Sequence, residues 1–213
     1  MHYDYELCIM HYLEVANRPK LSKYIKPQDI EYLEKLIKTM LDYGTKAQIQ
    51  FDVLTDDLAN AGIDYTPEEV QAKDIKASYT AMSKEALEQY GLSYVGTSVV
   101  YLSETSLRHY FKVTDAAKFD EIKESITFDS VKAESTEKGE YIYFEKKNIS
   151  ADDLDTAYTL TIGNESMTYS VLDFAKHTLL SETIPTNTKS LAQATYLYNQ
   201  AANTYFAADI LPC

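Results

Sequence analysis

The sequence predicts an α+β fold in which helices from both ends of the chain flank a central antiparallel β-sandwich. Apolar residues recur at helical spacing near both ends of the 213-residue chain, whereas the middle alternates with a period of two. A block of residues near the N-terminus also recurs near the C-terminus. We therefore predict a helical domain made of residues 1–74 with 169–213 and a β-sandwich domain made of residues 75–168.

Each half of the helical domain is predicted to be a helical hairpin. In the N-terminal half, helical spacing runs from Tyr5 to Tyr12 and again from Pro27 to about Ala59. Pro27 lies at the first turn of the second helix, with Asp29 near the positive end of the helix dipole, as is typical of a helix start. The C-terminal half has the same spacing from Tyr169 to Ala207, interrupted at Pro185.

Short segments with a period of two predict the strands of the sandwich. They are Val95 to Tyr101, Leu107 to Val113, Ile126 to Ala133, Gly139 to Phe144, Ala157 to Ile162 and Ser166 to Tyr169, the last two joined by a turn at Gly163-Asn164. No segment long enough for a crossover helix separates them, which favours an antiparallel sandwich. Leu154 precedes Tyr158 by four residues at a strand start, a spacing similar to the tyrosine corner of immunoglobulin-like sandwiches. We therefore expect an immunoglobulin-like sandwich.

An internal repeat connects the two hairpins. The block from Tyr43 to Phe51 aligns without gaps with the block from Tyr198 to Phe206, at a constant offset of 155 residues. Their shared tyrosine, alanine and phenylalanine lie on one helix face and predict structural contacts between the hairpins, with Gly44 allowing close approach. These residues are Tyr43, Ala47, Phe51, Tyr198, Ala202 and Phe206. A symmetric polar site at Gln48 and Asn203 is the functional alternative.

Charge and composition exclude several classes of function. The chain has 33 acidic and 20 basic residues and a net charge of −13, so nucleic acids and anionic membranes would be repelled. No apolar run approaches the roughly 20 residues that span a bilayer, so we expect no membrane insertion by this segment. The first residues lack the pattern of a secretory signal. The two cysteines, Cys8 and Cys213, either form a disulfide with each other or remain separate, Cys8 as a buried thiol and Cys213 as an unpaired terminal residue.

The sequence contains no motif for catalysis, a metal or a cofactor. The four histidines fall in no metal-ligand spacing, and no nucleophile elbow or phosphate-binding glycine loop occurs. Two acidic turns, Asp152-Asp153 with Asp155 and Asp56-Asp57, match a glycosidase pair or a calcium site no better than any acidic turn would. We favour helix caps or a solvated turn as their role. We therefore predict no enzyme, no cofactor and no metal.

One cluster mixes charge with aromatic rings and predicts a binding site. Arg108 and Tyr110 alternate with His109 and Phe111 along a strand, so that one pair faces solvent while the other packs. An exposed Arg108 and Tyr110, with Glu104 nearby, would stack on a sugar or bind a carboxylate. In the structural alternative, Arg108 pairs with Glu104 and closes the hairpin.

Tyrosine is unusually abundant, and tryptophan is absent. Nineteen of 213 residues are tyrosines, more than a core requires, so some lie on the surface, where tyrosines contact proteins or glycans. The lack of any tryptophan counts against a carbohydrate-binding module and favours a protein contact or a structural role.

Four blocks of the sequence resemble a known family of protein modules. They are Leu41 to Gln48, Asp56 to Asn60, Ser103 to Phe111 and Tyr196 to Phe206. Together they are similar to an uncharacterised module near the C-terminal end of large secreted proteins of gut and rumen Firmicutes. The resemblance implies an excerpt of a larger protein, an extracellular or cell-surface location and an accessory role. It supplies no established activity and no catalytic residue.

We expect a non-catalytic extracellular accessory module that acts in spacing, adhesion or protein contact. The alternative is a glycan-binding module with its site on the sandwich around Arg108 and Tyr110, and a hydrolase acting through the acidic turns is the least favoured hypothesis. The expected partner is a protein or a glycan at the cell surface. The oligomeric state is left open.

Overall fold

The computed structural model describes residues 26–53, 57–76, 78–101 and 104–208. These residues form five α-helices and two antiparallel sheets, which confirms the α+β class. The helices are α1 (Pro27–Phe51), α2 (Lys84–Gln89), α3 (Ala116–Ile122), α4 (Val171–Leu180) and α5 (Thr186–Ala207). The strands are β1 (Leu92–Tyr101), β2 (Thr105–Val113), β3 (Thr127–Phe128), β4 (Val131–Lys132), β5 (Ser135–Lys138), β6 (Tyr141–Lys146), β7 (Tyr158–Ile162) and β8 (Glu165–Tyr169).

The chain divides into two compact units. The helical unit contains the chain up to Gln71 and from Ser181 onward, and the sheet unit contains everything from Ala72 to Leu180. These boundaries differ from the sequence-based ones at 74/75 and 168/169, because the 3₁₀ turn Ala72–Asp74 and α4 both belong to the sheet unit. Lys176 of α4 donates a hydrogen bond to the carbonyl oxygen of Ile75 at 2.6 Å, within that unit.

The helical unit is built around the antiparallel pair α1 and α5. The rings of Tyr43 and Tyr198 lie 5.3 Å apart, and Thr188 near the start of α5 donates to Gln50 near the end of α1 at 3.0 Å. The apolar sides of the two helices form the core. Their buried apolar residues are Ile37, Leu41, Leu191, Ala192, Ala194, Leu197, Ala201 and Ala202. α4 and α5, predicted as one hairpin, lie in different units.

Helix α1 is shorter than predicted. It ends at Phe51 rather than near Ala59, because Asp52 adopts the left-handed conformation with a φ of 53°. The chain then turns back along the helix, and the backbone N–H of Ala59 donates to the side-chain oxygen of Gln48 at 2.7 Å. Apolar spacing beyond Phe51 therefore belongs to a returning segment, which the helical period alone does not distinguish.

The sheet unit contains two four-stranded antiparallel sheets, each formed by two hairpins. The first sheet has the order β1-β2-β6-β5, and the second has the order β4-β3-β7-β8. The sheets meet through His109 of β2, whose ring stacks on Phe128 of β3 at 5.7 Å and meets Tyr169 of β8 edge-on at 5.9 Å. Both β2 and β7 alternate between buried and partly exposed residues, so each sheet has one face in the core.

Two strand predictions need correction. The segment from Ile126 to Ala133 is not one strand but the hairpin β3–β4, because Asp129 and Ser130 adopt positive φ angles of 47° and 66°. These angles fit a two-residue turn of type I′. Strand β5 has no counterpart among the predicted strands, because its four residues are all exposed and supply no apolar alternation.

A β-bulge changes the face assignment in β1. Tyr94 pairs with Phe111 and Gly96 pairs with Tyr110, so Val95 is the extra residue. Simple alternation predicts that Val95 lies on the same side as Thr97 and packs with it. As the extra residue of the bulge, Val95 is instead 50% exposed.

Candidate binding surface

Strand β2 presents the predicted binding residues to the outside. Arg108 and Tyr110 are partly exposed, whereas His109 and Phe111 are fully buried, as the predicted alternation requires. β2 is held in place on both sides, by β1 and by β6. Because it is an inner strand of its sheet, the outward side chains are carried on a rigid support.

Arg108 pairs with Glu145 of β6 and not with Glu104. The Arg108 Nε donates to Glu145 Oε1 at 2.8 Å, and the hydroxyl of Ser106 donates to the same oxygen. Glu104 is exposed in the segment just before β2. The predicted ion pair closing the β1–β2 hairpin is therefore wrong, and Glu145, opposite Arg108 in the register, takes its place.

Cations and tyrosine rings form a continuous row on this face. Lys138 lies over the ring of Tyr110 at 5.6 Å, Tyr110 lies 5.3 Å from Tyr143, and the Arg108 guanidinium lies over Tyr143 at 4.7 Å. We call Arg108, Tyr110, Lys138, Tyr143 and Glu145 the cation–tyrosine surface. Such stacking holds long side chains in place while leaving polar edges in water.

Electrostatics keep the ion pair charged. Burial, the largest single influence, would lower the pKa of Arg108, but the hydrogen bonds with Glu145 and Tyr110 and the charge of Glu145 together raise that pKa. Burial is also the largest single influence on Glu145 and would raise its pKa, but the hydrogen bonds from Ser106 and Arg108 and the charges of Arg108 and Lys147 together lower that pKa. Partial burial alone would also raise the pKa of Tyr110, but hydrogen bonds with Ser98 and Arg108, together with the charge of Lys138, outweigh it and lower that pKa.

A cavity of about 650 Å³ opens beside this surface. It forms where β5 stops pairing with β6 at Phe144, so that β6 continues past the last β5 partner. Strands β2 and β6 supply one wall, and the segment that crosses from β4 to β5 supplies the other. The lining consists of Arg108, Tyr143, Glu145, Lys146 and Lys147 on one side and Phe128, Val131, Lys132, Ala133, Glu134 and Thr136 on the other.

Sequence reasoning misses Tyr143, Glu145 and Lys138 as members of the surface. The predicted strand from Gly139 to Phe144 contains Tyr143, and its alternation could have placed this ring on the outer face. Glu145 lies just beyond the predicted strand end, and Lys138 lies in the unpredicted β5. Only the pairing of β6 with β2 and β5 brings these three side chains to Arg108 and Tyr110.

The acidic turn serves a structural purpose. Asp153 accepts from Ser150 at 2.8 Å and from Thr156 at 3.3 Å, both within three residues. In the part of the chain that the structure describes, no group of three histidine, cysteine or acidic side chains is placed to hold a metal ion. Asp56 of the second acidic pair lies outside the described residues.

Tyr158 makes the contact expected from its spacing. Its hydroxyl lies 3.5 Å from the carbonyl oxygen of Asp153, five residues upstream, and Leu154 is buried beside the strand start. Burial, reinforced by nearby aspartates with Asp153 first among them, raises the pKa of Tyr158 to about 12. The phenol therefore stays protonated as a donor.

The repeat residues divide into an inner and an outer part. Tyr43 and Tyr198 contact each other and Ala202 is fully buried, but Phe51 is 42% exposed and Phe206 is 58% exposed. Ala47 is partly buried. The predicted face is thus more buried at its tyrosine and alanine positions than at its phenylalanines, because each phenylalanine lies at the end of its helix.

The small and polar residues of the repeat act locally. A Cβ on Gly44 would lie 3.1 Å from that of Ala59, so this glycine accommodates the returning segment and not the partner helix. Gln48 binds the same segment, and Asn203 donates to Asn199 on its own helix at 3.4 Å.

Several predictions fall outside the described residues. They concern the helix from Tyr5 to Tyr12 and the cysteines Cys8 and Cys213. For the described ranges, no helix has the combination of length and apolar character that would let it cross a membrane.

The cation–tyrosine surface and the adjoining cavity are therefore the candidate functional site. The chain matches no protein-family model, no curated protein and no solved structure.

Proposed function

We propose that the protein is a non-catalytic accessory module that binds a protein partner through the cation–tyrosine surface. The supporting observation is the row formed by Lys138, Tyr110, Tyr143 and Arg108 on the outside of an inner strand pair. Tyrosine and arginine are enriched where proteins meet, because both combine a large contact area with polar edges. Partial exposure leaves these groups accessible to a partner.

The location belongs to the same proposal. The resemblance to a module of secreted Firmicutes proteins supports an extracellular or cell-surface setting, in which the module contributes adhesion or spacing. The two sheets in contact and the Tyr158 hydroxyl near the Asp153 carbonyl support an immunoglobulin-like sandwich as the scaffold. The pairing of the repeated tyrosines supports a helical unit, built on α1 and α5, as the second part of the module.

A glycan is the second candidate ligand, and the cavity favours it. Its volume of about 650 Å³ lies within the roughly 300–1,000 Å³ of small-ligand sites. Arg108 and Tyr143 line it, so it offers charged donors beside an aromatic ring.

The two candidates differ in which tyrosine they use. Tyr110 belongs to the surface but not to the cavity lining, whereas Tyr143 belongs to both. The protein is to be presented to an array of bacterial surface proteins, host matrix proteins, and plant and host glycans. Three variants are compared with the parent: Tyr110→Ser, Tyr143→Ser and, as a control on the same sheet face, Lys112→Gln.

Protein contact predicts a protein signal that both tyrosine variants weaken. Glycan binding predicts a sugar signal that Tyr143→Ser weakens and Tyr110→Ser leaves intact. In either case Lys112→Gln should bind like the parent, because Lys112 is exposed and pairs with the exposed Glu140 at 2.6 Å. Absence of any signal would contradict both candidates and leave spacing as the role.

A further inference from the structure

The cavity beside β6 is electrically balanced, because each cation that lines it is paired with a carboxylate. The pairs are Arg108 and Lys147 with Glu145, Lys132 with Glu124, and Lys146 with Asp129. Glu134 also lines the cavity. The cations and carboxylates around it are therefore equal in number, although the whole chain has a net charge of −13.

A charged ligand would meet a like charge wherever it bound in this cavity. An anion beside Arg108 would also lie beside Glu145, because the Arg108 Nε and the Glu145 Oε1 are only 2.8 Å apart. A cation beside Glu145 would lie beside Arg108 for the same reason. Neither side chain can readily swing away, since Glu145 is 11% exposed and Arg108 is 25% exposed. The cavity therefore favours an uncharged ligand.

The Arg108–Glu145 pair keeps hydrogen-bonding capacity on both partners. Arg108 donates through Nε to Glu145 and forms a further hydrogen bond with Tyr110, so other N–H groups of its guanidinium are left for a ligand. Glu145 accepts from Ser106 and Arg108 through Oε1. Its Oε2 lies 3.9 Å from the Lys147 Nζ, which is too far for a hydrogen bond.

Donor and acceptor groups therefore lie side by side on one wall of the cavity. A hydroxyl group both donates and accepts, so two adjacent hydroxyls of one ligand can bond to the guanidinium and to the carboxylate together. Neither protein group has to give up its charged partner in the process.

Apolar surface lies on the opposite wall. Val131 is 70% exposed there, and Phe128 and Ala133 line the same side. The C–H face of a sugar ring can bury this surface while the hydroxyls on its rim stay hydrogen-bonded. Adjacent hydroxyls, an apolar ring face and the absence of charge are together the properties of a neutral sugar.

We propose that the cavity binds an uncharged sugar, with two adjacent hydroxyls held by Arg108 and Glu145 and the apolar ring face against Val131. This inference rests on the glycan candidate of the proposed function and names its ligand class. It does not depend on the protein-contact candidate.

The first test compares sugars that share a ring and differ in charge. Binding to the intact protein is measured by NMR titration at low and high salt for glucose, glucuronic acid and glucosamine, and for the corresponding galactose series. In at least one series we expect the neutral sugar to bind about 10-fold more tightly than both charged sugars. Its affinity should not change with salt, because a neutral ligand has no charge to be screened.

The second test removes the balance at one position. Glu145→Gln keeps the shape of the side chain but leaves Arg108 and Lys147 without their counter-charge, so we expect it to bind the uronic acid about 10-fold more tightly than the parent does. Glu140→Gln is the matched control, because Glu140 lies outside the cavity lining and pairs with the exposed Lys112. This control should bind every sugar like the parent. Far-UV circular dichroism checks the fold of both variants.

The outcomes separate this inference from the proposed function. Equal or tighter binding of the charged sugars by the parent would retain a glycan site and overturn the neutral ligand. An unchanged preference in Glu145→Gln would overturn the placement of the sugar at the Arg108–Glu145 pair. Failure of every sugar to bind, alongside a protein signal on the array, would overturn this inference while supporting protein contact.

Discussion

Gly163 occupies the first position of the two-residue turn between β7 and β8, with a φ of +60°. The ring of Tyr90 covers it, and the Tyr90 hydroxyl accepts a hydrogen bond from the backbone N–H of Asn164 at 3.0 Å. Gly139 occupies the equivalent position of the turn between β5 and β6, with a φ of +65°, and a Cβ added there would have no heavy atom within 4 Å. The two turns therefore share backbone geometry but differ in their surroundings.

We expect Gly163→Ala to destabilise the protein by roughly 1–3 kcal/mol more than Gly139→Ala. Both changes incur the backbone cost of a positive φ, but at Gly163 the new Cβ would lie 2.3 Å from the Tyr90 ring. Urea unfolding of the two variants measures the difference. Equal destabilisation would show that the Tyr90 ring moves aside freely.

His109 is a neutral histidine in the core between the two sheets. Its Nδ1 and the hydroxyl of Thr97 are 2.7 Å apart, and its Nε2 is the one buried side-chain nitrogen or oxygen atom without a hydrogen-bond partner among the described residues. Burial lowers the pKa of His109 to about 4. The rings of Phe128 and Tyr169 lie against it and carry no negative charge that could stabilise a protonated imidazole.

We expect the free energy of unfolding to fall as the pH drops from about 6.5 to about 4. In this range His109 becomes protonated in the unfolded chain but stays neutral in the folded chain. The contribution of this residue is complete above pH 6.5 and its loss amounts to about 3 kcal/mol at pH 4. Urea unfolding from pH 7 to pH 4 measures the dependence. His109→Gln, which keeps a hydrogen-bonding group near Thr97, should show a flatter curve, and identical curves would contradict this role for His109.

At the scale of elements, aspartate side chains fix the starts of two helices in different surroundings. Asp173 and Ser170 form a reciprocal capping box at α4, with both N–H to oxygen distances at 2.9 Å, and Asp173 also accepts from the N–H of Ser78 at 2.8 Å. Asp173 is completely buried. Asp115 caps α3 alone, in an exposed position, through the N–H groups of Ala117 and Lys118.

We expect Asp173→Ala to cost about 2–4 kcal/mol and Asp115→Ala about 1 kcal/mol. The first change removes a capping contact and leaves the N–H of the buried Ser170 without an acceptor, whereas water can replace the exposed cap. Thermal and urea unfolding of the two variants provide the comparison. A similar cost for both would indicate that water reaches the N–H group of the buried Ser170.

Elements with a strong apolar period can be predicted from the sequence. The segment from Leu107 to Val113 is recognisable as a strand because its buried residues alternate, and Pro27 and Asp29 mark the start of α1. The end of α1 at Phe51 and the turn at Asp129 depend on left-handed backbone angles, which apolar spacing does not encode.

The candidate site can be predicted only in part, for a similar reason. Arg108 and Tyr110 combine charge, aromatic character and alternation within one strand, so local sequence is sufficient to single them out. Glu145 is separated from Arg108 by 37 positions, and only the register of β2 with β6 makes it the partner. The nearby Glu104 is the more obvious choice by sequence distance, and pairing across strands overrides it.

At the scale of the whole molecule, the sheet unit is one continuous stretch of chain whose two ends lie close together. The 3₁₀ turn at Ala72–Asp74 contacts α4, and Lys176 binds the carbonyl of Ile75. The helical unit, in contrast, is assembled from two separate stretches. The sheet unit is therefore arranged as an insertion within the helical unit.

We expect a fragment of residues 72–180 to fold by itself. It contains both sheets, α4 and the buried Asp173 cap, so it carries an apolar core of its own. A dispersed amide proton spectrum and cooperative urea unfolding would support this, and His109→Gln should change the pH dependence of the fragment as it does that of the full chain. A collapsed spectrum without dispersion would contradict the independence of the unit.

The contact between Tyr43 and Tyr198 determines when the α1–α5 pair can form during synthesis on the ribosome. These two rings are separated by 155 positions in the chain. At about 5–20 residues per second, roughly 8–30 s pass between the synthesis of Tyr43 and that of Tyr198. The complete sheet unit leaves the ribosome during that interval, so it is the first part able to reach its native structure, and closure of the α1–α5 pair becomes a late step that depends on the C-terminal helix.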